Sequence, residues 1–440
     1  MAPRRLLVAI GLAVSLAGAG CGAPASPVPG SGSASASSTA TAPNAPASRS
    51  TPAAPGSDRP PSPTPTAGPP ASPTARPSLA PGVSAALEIE LRVGAALAGV
   101  PGAEASVQLA DGSTWSGAYG WADVAAGRPM EPSDVFDIGS VSKTFVAAEV
   151  LVLAAEGRLT LDAPLARWLP SFPNAGRITV RELLSHTSGI ADYFNNPKLL
   201  HALDANRSAA WTPTSLLPYV GKALFTPGRS WSYSNTNYLL LGMIVRAVEG
   251  TSVGAAIERR FLGPLRLDHT TIQGDVPAPP PPRVGPAAQP YARTGNGPLA
   301  FKDLADGSGY LPYESLATSL DAAGSIVSRS DDLVRWAAAL YGGRVLPPTS
   351  LALMLDDSVT KPLHPVRDYA LGVEHLVLAG HETVGHSGAC SGYRATMRYV
   401  PDLGAAVVVL VNEDGPDPDA IAARLIEAIA STGARNGAIG

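Results

Sequence analysis

Residues 136–145 read Phe136-Asp137-Ile138-Gly139-Ser140-Val141-Ser142-Lys143-Thr144-Phe145 and lead into an almost unbroken apolar run that ends at Ala155. The run is long enough for four helical turns, and Gly157 stands where a C-terminal cap is expected. We therefore predict a helix with Ser140 at its N-terminus and Lys143 one turn later on the same face. If burial lowers the pKa of the lysine, its amine can accept the serine proton. A capping serine beside a solvated lysine is the alternative, because Ser-x-x-Lys is common by chance.

The composition limits the class of protein and its partners. The chain has 440 residues and a formal net charge of -4, without a block of basic residues, so nucleic acid is not an expected partner. Its two cysteines, Cys21 and Cys390, exclude a disulfide framework and a cysteine-rich zinc site. No oligomeric state follows from the composition.

The N-terminus has the pattern of an export signal. Arg4 and Arg5 precede the apolar stretch from Leu6 to Ala19, which is too short to span a membrane comfortably. Small residues and then Cys21 follow, which resembles a bacterial lipoprotein signal in which the cysteine is lipidated. We therefore predict a signal peptide over residues 1–21, an extracytoplasmic location, and membrane contact only through a lipid on Cys21. Ordinary secretion is the alternative.

Residues 22–81 are almost entirely Ala, Pro, Ser, Thr and Gly, without an aromatic side chain. Such a segment buries too little apolar surface to offset its ordering entropy, so we predict a disordered linker. At about 3.1 Å per residue it reaches up to roughly 180 Å, far enough to hold a domain away from a membrane. The folded domain is then expected over residues 82–435.

The folded part is expected to begin and end with strands around a helical middle. An Asp-Gly turn predicts a hairpin over 105–119, and we expect an irregular Pro-rich loop over 276–298. The remaining predicted elements are helices over 83–99, 180–262 (interrupted), 331–341 with Ser330 as the N-cap, and 419–430, and strands over 373–378, 393–399 and 405–411. This order favours an α+β fold in which an antiparallel sheet joins the N- and C-terminal parts, flanked by helices and by a helical lobe. A cleft is expected between sheet and lobe.

Two further motifs carry groups that suit acyl transfer. Tyr233 and Asn235 precede an apolar helix; the phenol can relay a proton if positive neighbours lower its pKa, and the amide offers a donor and an acceptor. The second motif is His386-Ser387-Gly388-Ala389, between two predicted strands. Gly388 allows the backbone to approach a ligand closely, and the Ala389 N–H can face an oxyanion together with the Ser140 N–H.

Ser140-x-x-Lys143, Tyr233-x-Asn235 and His386-Ser387-Gly388, in this order, resemble the serine penicillin-recognising family. The branch that contains class C β-lactamases, D,D-carboxypeptidases and family VIII-type esterases is the most similar, and "ITVRELLSHTSGI" and "WSYSNTN" agree with it. The resemblance covers residues 85–430 and implies a β-lactamase/transpeptidase-like fold.

The resemblance also implies a covalent mechanism that uses neither a metal nor another cofactor. Ser140 forms an acyl-enzyme, Lys143 and Tyr233 transfer its proton to the leaving group, and Asn235 orients the lysine and the substrate. His386 and Ser387 line the opposite wall, with Gly388 and Ala389 beside them. The implied substrate is a small peptide, a β-lactam or an ester. D-alanyl-D-alanine carboxypeptidase activity is the leading interpretation; a β-lactamase, a carboxylesterase and a penicillin-binding protein without turnover are the alternatives.

Two positions depart from the family pattern. Where D,D-carboxypeptidases have an arginine that binds the terminal carboxylate of the substrate, this chain has Glu374, and Arg394 is the expected replacement. His386 stands where the family often has lysine, which predicts a group that titrates near neutral pH.

Two other histidines are expected to stay outside the chemistry, and the role of Cys390 is open. His186 fits a structural turn, and the spacing from His381 to His386 is one residue too long for a His-Glu-x-x-His zinc motif. Cys390 is either a small buried residue or a reactive thiol beside the site.

Overall fold

The computed structural model describes residues 77–274, 285–295, 301–356 and 368–437, with side chains as far as residue 432. The predicted signal peptide, Cys21 and most of the predicted linker lie outside the described residues. The predicted linker includes residues 77–80, yet these already pair with the sheet: the Leu79 N–H donates to the Thr114 carbonyl at 3.3 Å, and Leu79 is buried. The folded part therefore begins at least four residues before the predicted boundary.

The chain alternates strands and helices in an order close to the predicted one. The strands are β1 Gly102–Gln108, β2 Thr114–Asp123, β3 Arg128–Pro129, β4 Phe136–Asp137, β5 Thr271–Ile272, β6 Tyr291–Arg293, β7 Phe301–Asp303, β8 Ile326–Ser328, β9 Asp368–Tyr369, β10 Glu374–Leu378, β11 His381–Cys390, β12 Tyr393–Val400 and β13 Ala405–Val411. The α-helices are α1 Pro81–Ala98, α2 Ser142–Ala155, α3 Val180–Leu184, α4 Pro197–Ala205, α5 Pro213–Leu216, α6 Asn235–Glu249, α7 Val253–Ile257, α8 Gly263–Leu265, α9 Glu314–Leu320, α10 Ser330–Leu340, α11 Pro348–Leu355 and α12 Asp419–Gly437.

The main sheet joins the two ends of the chain. Its order is β3-β2-β1-β13-β12-β11-β10-β9, and every pair of neighbours is antiparallel. N-terminal β1 lies beside C-terminal β13, with Ala105 opposite Val409. This pairing confirms the predicted α+β architecture.

Helices cover both faces of this sheet. Along β13, Val407 and Val409 pack into one core with α1 and α12, whereas Val408 and Leu410 pack into a second core with α2, α6 and α10. A strand that is buried on both faces reads as a continuous apolar run, which explains the sequence of β13. The second, larger core positions α2 against the sheet.

Three local predictions need correction. Ser330 is the first residue of α10 rather than its N-cap, and its hydroxyl donates to the buried Glu104 carboxylate. In the predicted Pro-rich loop over 276–298, residues 276–284 and 296–298 lie outside the described residues, and Tyr291–Arg293 forms β6, which pairs with β7. The His386 motif lies inside β11 rather than between strands.

In the described part of the chain, no single helix is long and apolar enough to cross a membrane. The bent pair α6 and Val253–Leu265 meets the requirement by length and composition alone.

Candidate active site

Ser140 lies in a tight turn between β4 and α2. Gly139–Val141 form a single 3₁₀ turn, and α2 begins at Ser142, so Ser140 precedes the α-helix by two residues. Gly139 has φ +51°, and a Cβ there would stand 2.6 Å from the Ala389 nitrogen. A side chain would therefore be strained by the left-handed backbone and would collide with β11. The turn brings the backbone next to Ser140 against the Ala389 amide.

Asp137 stabilises this turn through a hydrogen bond to its backbone. Its Oδ1 accepts the Gly139 N–H at 2.7 Å, and its Oδ2 lies 3.4 Å from Gln273 Nε2. The side chain is buried, and desolvation raises its pKa well above the ordinary value. Asp137 is not among the site residues predicted from the sequence, although it stands three residues before the serine.

Lys143 is fully buried and meets three acceptors. Its Nζ lies 3.0 Å from Ser140 Oγ, 2.9 Å from Asn235 Oδ1 and 2.5 Å from the Ala323 carbonyl oxygen. Desolvation lowers the pKa of Lys143 to about 7, against the opposing effect of Asp192. As a neutral amine, Lys143 can donate to the two carbonyl oxygens and turn its lone pair toward the Ser140 hydroxyl. With this pKa, Lys143 can accept a proton near neutral pH.

Tyr233 contacts the same serine from the other side. Its hydroxyl donates to Ser140 Oγ at 2.7 Å, and the Lys143 Nζ lies 4.9 Å from the centre of its ring. Desolvation raises the pKa of Tyr233 well above its ordinary value. The condition that positive neighbours lower this pKa is therefore not met, and the nearby Glu374 and Asp192 charges raise the pKa further. Tyr233 is a protonated donor at neutral pH.

Asn235 is the first residue of α6, and Asp192 orients it. The Asp192 Oδ2 accepts both the Asn235 backbone N–H at 3.1 Å and its Nδ2–H at 2.9 Å. With its amide nitrogen so engaged, Asn235 turns its oxygen toward Lys143. Asp192 is also absent from the predicted site. Its only local signal is that its side chain caps the turn at Tyr193–Asn195, an ordinary structural use of aspartate.

His186 supports the segment that carries Tyr233. Its Nδ1 accepts the Ser234 backbone N–H at 3.2 Å and the Asn237 Nδ2–H at 3.0 Å, and its ring centre lies 4.3 Å from that of Tyr233. Burial lowers the pKa of His186 well below its ordinary value, so the ring is neutral. His186 also adopts the left-handed φ of +60°. These features agree with the structural turn expected there.

His386 is neutral too, which corrects the expected titration near pH 7. Its Nδ1–H donates to the Ser387 carbonyl at 2.6 Å, and its Nε2 accepts the Tyr369 hydroxyl at 3.0 Å. Burial lowers the pKa of His386 to about 4, although the nearby Glu374 opposes this shift. The ring serves as a fixed wall of the site, 6.5 Å from the ring of Tyr233 between centres.

From His386 to Cys390, one edge of β11 pairs with none of the described strands. β10 pairs with β11 only as far as Gly385, so among the described strands residues 386–390 pair with β12 alone. Gly388 is required for packing inside the protein rather than against a ligand, because a Cβ there would stand 2.0 Å from the Ile138 carbonyl oxygen. This contact holds the edge, with Ala389, against the turn that carries Ser140.

Cys390 is the last residue of β11, and Arg394 lies at the start of β12. Arg394 faces Ala389 across the strands, but its Nε donates to the Asp414 carbonyl at 2.8 Å. Cys390 is buried, and desolvation raises the pKa of its thiol well above the ordinary value, which fits a small packed residue. Among the described residues, no group of three or more His, Cys, Asp or Glu side chains is placed to hold a metal ion.

Sequence comparison relates this chain to known proteins. The chain is similar to penicillin-binding protein 4* of Bacillus subtilis strain 168, with 28% identity over 309 residues, which are 67% of this chain and 64% of that protein. It is also similar to a D-aminopeptidase of Cereibacter sphaeroides, with 25% identity over 71% of this chain and 57% of that protein. The chain thus spans less than two thirds of the length of these two relatives.

Solved structures match more completely. A D-stereospecific amidohydrolase from a Streptomyces species has 31% identity and a TM-score of 0.64, over 78% of this chain and 98% of that one. A D-amino acid amidase from Ochrobactrum anthropi SV3 has 25% identity and a TM-score of 0.67, over 80% and 99%. The family model described as Beta-lactamase matches residues 90–431. With its fold and its Ser140-x-x-Lys143 turn, the chain therefore belongs to the beta-lactamase family of serine hydrolases.

Proposed function

We propose that this protein hydrolyses the amide bond that follows a D-amino-acid residue, through an acyl-enzyme on Ser140. The observation that carries the proposal is the position of Ser140 Oγ, 3.0 Å from the Lys143 amine and 2.7 Å from the Tyr233 hydroxyl. The preference for D-residues is supported by the names of the D-aminopeptidase and the two D-specific amide hydrolases that the chain resembles.

The proposed acylation moves one proton and exchanges one bond. Neutral Lys143 takes the Ser140 proton while Oγ attacks the substrate carbonyl carbon, and the N–H groups of Ser140 and Ala389 face the oxyanion. The C–N bond then breaks. Tyr233 donates its hydroxyl proton to the leaving nitrogen and regains one from Lys143. Water attacks the ester by the reverse route, and Asn235 keeps the amine oriented throughout.

Acylation can be tested with N-acetyl-D-alanine p-nitrophenyl ester and its L-enantiomer. We expect a burst of p-nitrophenol and an acyl adduct that peptide mapping by mass spectrometry locates on Ser140, with the D-ester strongly preferred. Ser140→Ala should lose both. Ser142→Ala is the matched control: it removes a neighbouring hydroxyl that accepts the Ile326 N–H, and it should keep the adduct. An adduct that persists in Ser140→Ala, or equal rates for both enantiomers, would refute the proposal.

D-alanyl-D-alanine carboxypeptidase activity is the second candidate. The similarity to penicillin-binding protein 4* favours it, together with the export-type N-terminus. Turnover of a D-Ala-D-Ala tripeptide, nitrocefin and a simple p-nitrophenyl ester would separate this activity from those of a β-lactamase and an esterase. Acylation without turnover of any of them would favour a binding protein.

We also propose that the protein works outside the cytoplasm, tethered by a lipid on Cys21. The basic residues, the apolar stretch and the cysteine at the N-terminus support this proposal. Cys21→Ser should release the protein from the membrane fraction to the medium. Equal membrane association of both forms would contradict the anchor.

A further inference from the structure

Glu374 occupies a set of hydrogen-bond donors beside the candidate active site. Its Oε1 accepts the Ser387 hydroxyl at 2.9 Å, and its Oε2 accepts the Ser387 backbone N–H at 3.0 Å. The same Oε2 accepts the Arg398 Nη2–H at 3.0 Å. The Glu374 side chain is only 10% exposed and that of Arg398 is fully buried, so these contacts are made away from bulk water.

A hydroxyl, a backbone N–H and a guanidinium that converge on one point form a receptor for a carboxylate. This receptor borders the reaction centre, because Ser387 follows His386 in β11, and the His386 ring lies 6.5 Å from that of Tyr233 between centres. The charge of Glu374 also acts on Lys143 and raises its pKa, in opposition to desolvation. A carboxylate of the protein itself therefore fills the receptor, within electrostatic range of Lys143.

The positive charge at the receptor is already balanced, so a second anion is disfavoured there. Arg398 shares its single positive charge between Glu374 and Asp419, whose Oδ2 lies 3.1 Å from the same Nη2. His386 is neutral and adds no compensating charge. An incoming carboxylate would meet Glu374 as a like charge at close range, which disfavours its binding in a partly buried site.

We propose that Glu374 takes the place of a substrate carboxylate and so excludes substrates whose leaving group is a single amino acid with a free carboxylate. The favoured substrates are then D-amino-acid amides, or D-peptides whose leaving group continues as an uncharged chain. The inference rests on the proposed function and specifies its substrate class. It makes Glu374 a specificity-determining residue and disfavours D-alanyl-D-alanine carboxypeptidase activity.

The test compares two substrates that differ only at the terminal group: acetyl-D-alanyl-D-alanine and its C-terminal amide. We expect wild type to have a kcat/KM for the amide about tenfold or more above that for the acid. Glu374→Ala opens the receptor and should reverse this preference. Fluorescent penicillin, which carries a carboxylate, should label wild type slowly and Glu374→Ala faster.

Two further variants make the result interpretable. Glu374→Gln keeps the shape of the side chain and removes its charge, so the amide preference should shrink even if the alanine variant folds poorly. Arg398 keeps its Asp419 partner in both variants, so no unpaired buried charge is created. Glu382→Gln, which neutralises an exposed carboxylate on the same strand as Ser387, is the matched control and should leave the preference unchanged.

The N-acetyl-D-alanine ester separates the two proposals. If wild type fails to acylate Ser140 with this uncharged ester, the proposed function fails. If it acylates normally but prefers the acid, or if the amide-to-acid ratio is the same in wild type, Glu374→Gln and Glu374→Ala, only the assignment of Glu374 is overturned.

Discussion

Lys143 is expected to give the hydrolysis rate an acidic limb near pH 7. Burial lowers its pKa from the ordinary 10.5 to about 7, a difference that corresponds to about 5 kcal/mol between the charged and neutral forms. At pH 7 about half of the enzyme then carries a neutral amine, whereas a lysine of ordinary pKa would be neutral in only about one molecule in 3,000.

The assay is kcat/KM for N-acetyl-D-alanine p-nitrophenyl ester between pH 5 and 9. This ratio reports the pKa of the free enzyme, and the substrate has no titrating group. The rate should rise with pH to a plateau above pH 8 and fall by about 100-fold at pH 5, as one proton is added to Lys143. His386 and His186 do not account for the limb, because burial keeps both rings neutral in this range.

Asp192→Asn tests the sign of the effect. The negative charge of Asp192 favours the protonated lysine, so removing it should lower the pKa of Lys143 and move the limb to lower pH. The plateau should also fall, because Asn235 loses part of its anchor. Asp204→Asn, at an exposed carboxylate, is the control. A pH-independent rate down to pH 5, or a limb that moves to higher pH in Asp192→Asn, would refute the reasoning.

Three other substitutions probe the supporting residues. Glu104→Gln should raise the free energy of unfolding, measured with urea, by up to about 5 kcal/mol more at pH 9 than at pH 4. Burial raises the pKa of Glu104 to about 8, so the stability that the protonated carboxyl contributes to wild type is lost as pH rises through that value. Glutamine stays neutral and does not lose it. Gly388→Ala should lower kcat/KM by about 100-fold or more, because its Cβ displaces β11 from the Ile138 carbonyl and with it the proposed oxyanion donor. Asp137→Ala leaves the Gly139 N–H without its buried acceptor, which should cost about 1–3 kcal/mol in thermal or urea unfolding and lower kcat more than it changes KM.

Each of these substitutions has a control at a site without the relevant contact. Glu88→Gln, which changes a partly exposed carboxylate, is the control for Glu104→Gln and is measured at the same two pH values. Gly176→Ala adds a Cβ that meets no atom within 4 Å, and Asp162→Ala changes a largely exposed side chain. A variant that behaves like its control would show that the corresponding buried residue lacks the expected role in stability or catalysis.

Much of the fold could be predicted because its signals are local. The Asp111-Gly112 turn predicts the hairpin of β1 and β2, and the continuous apolar run of Ala405–Val411 predicts the bounds of β13. The apolar side chains of these strands must be buried whatever the rest of the chain does. Patterns of a few residues are therefore enough to predict the strands. The mistaken N-cap at Ser330 shows the limit: Glu104, 226 residues away in the chain, accepts its hydroxyl.

The candidate site also has some features that local motifs predict and others that depend on the fold. The chemical groups that are available could be predicted, because the serine, lysine, tyrosine and asparagine stand in short, ordered motifs. Their protonation states and the residues that support them depend on the folded structure. Burial makes Lys143 a base near pH 7, keeps Tyr233 and His386 uncharged, and brings Asp192 and Glu374 to them from distant parts of the chain. A pKa depends on the solvent and charge around a group, and that environment exists only once the chain has folded.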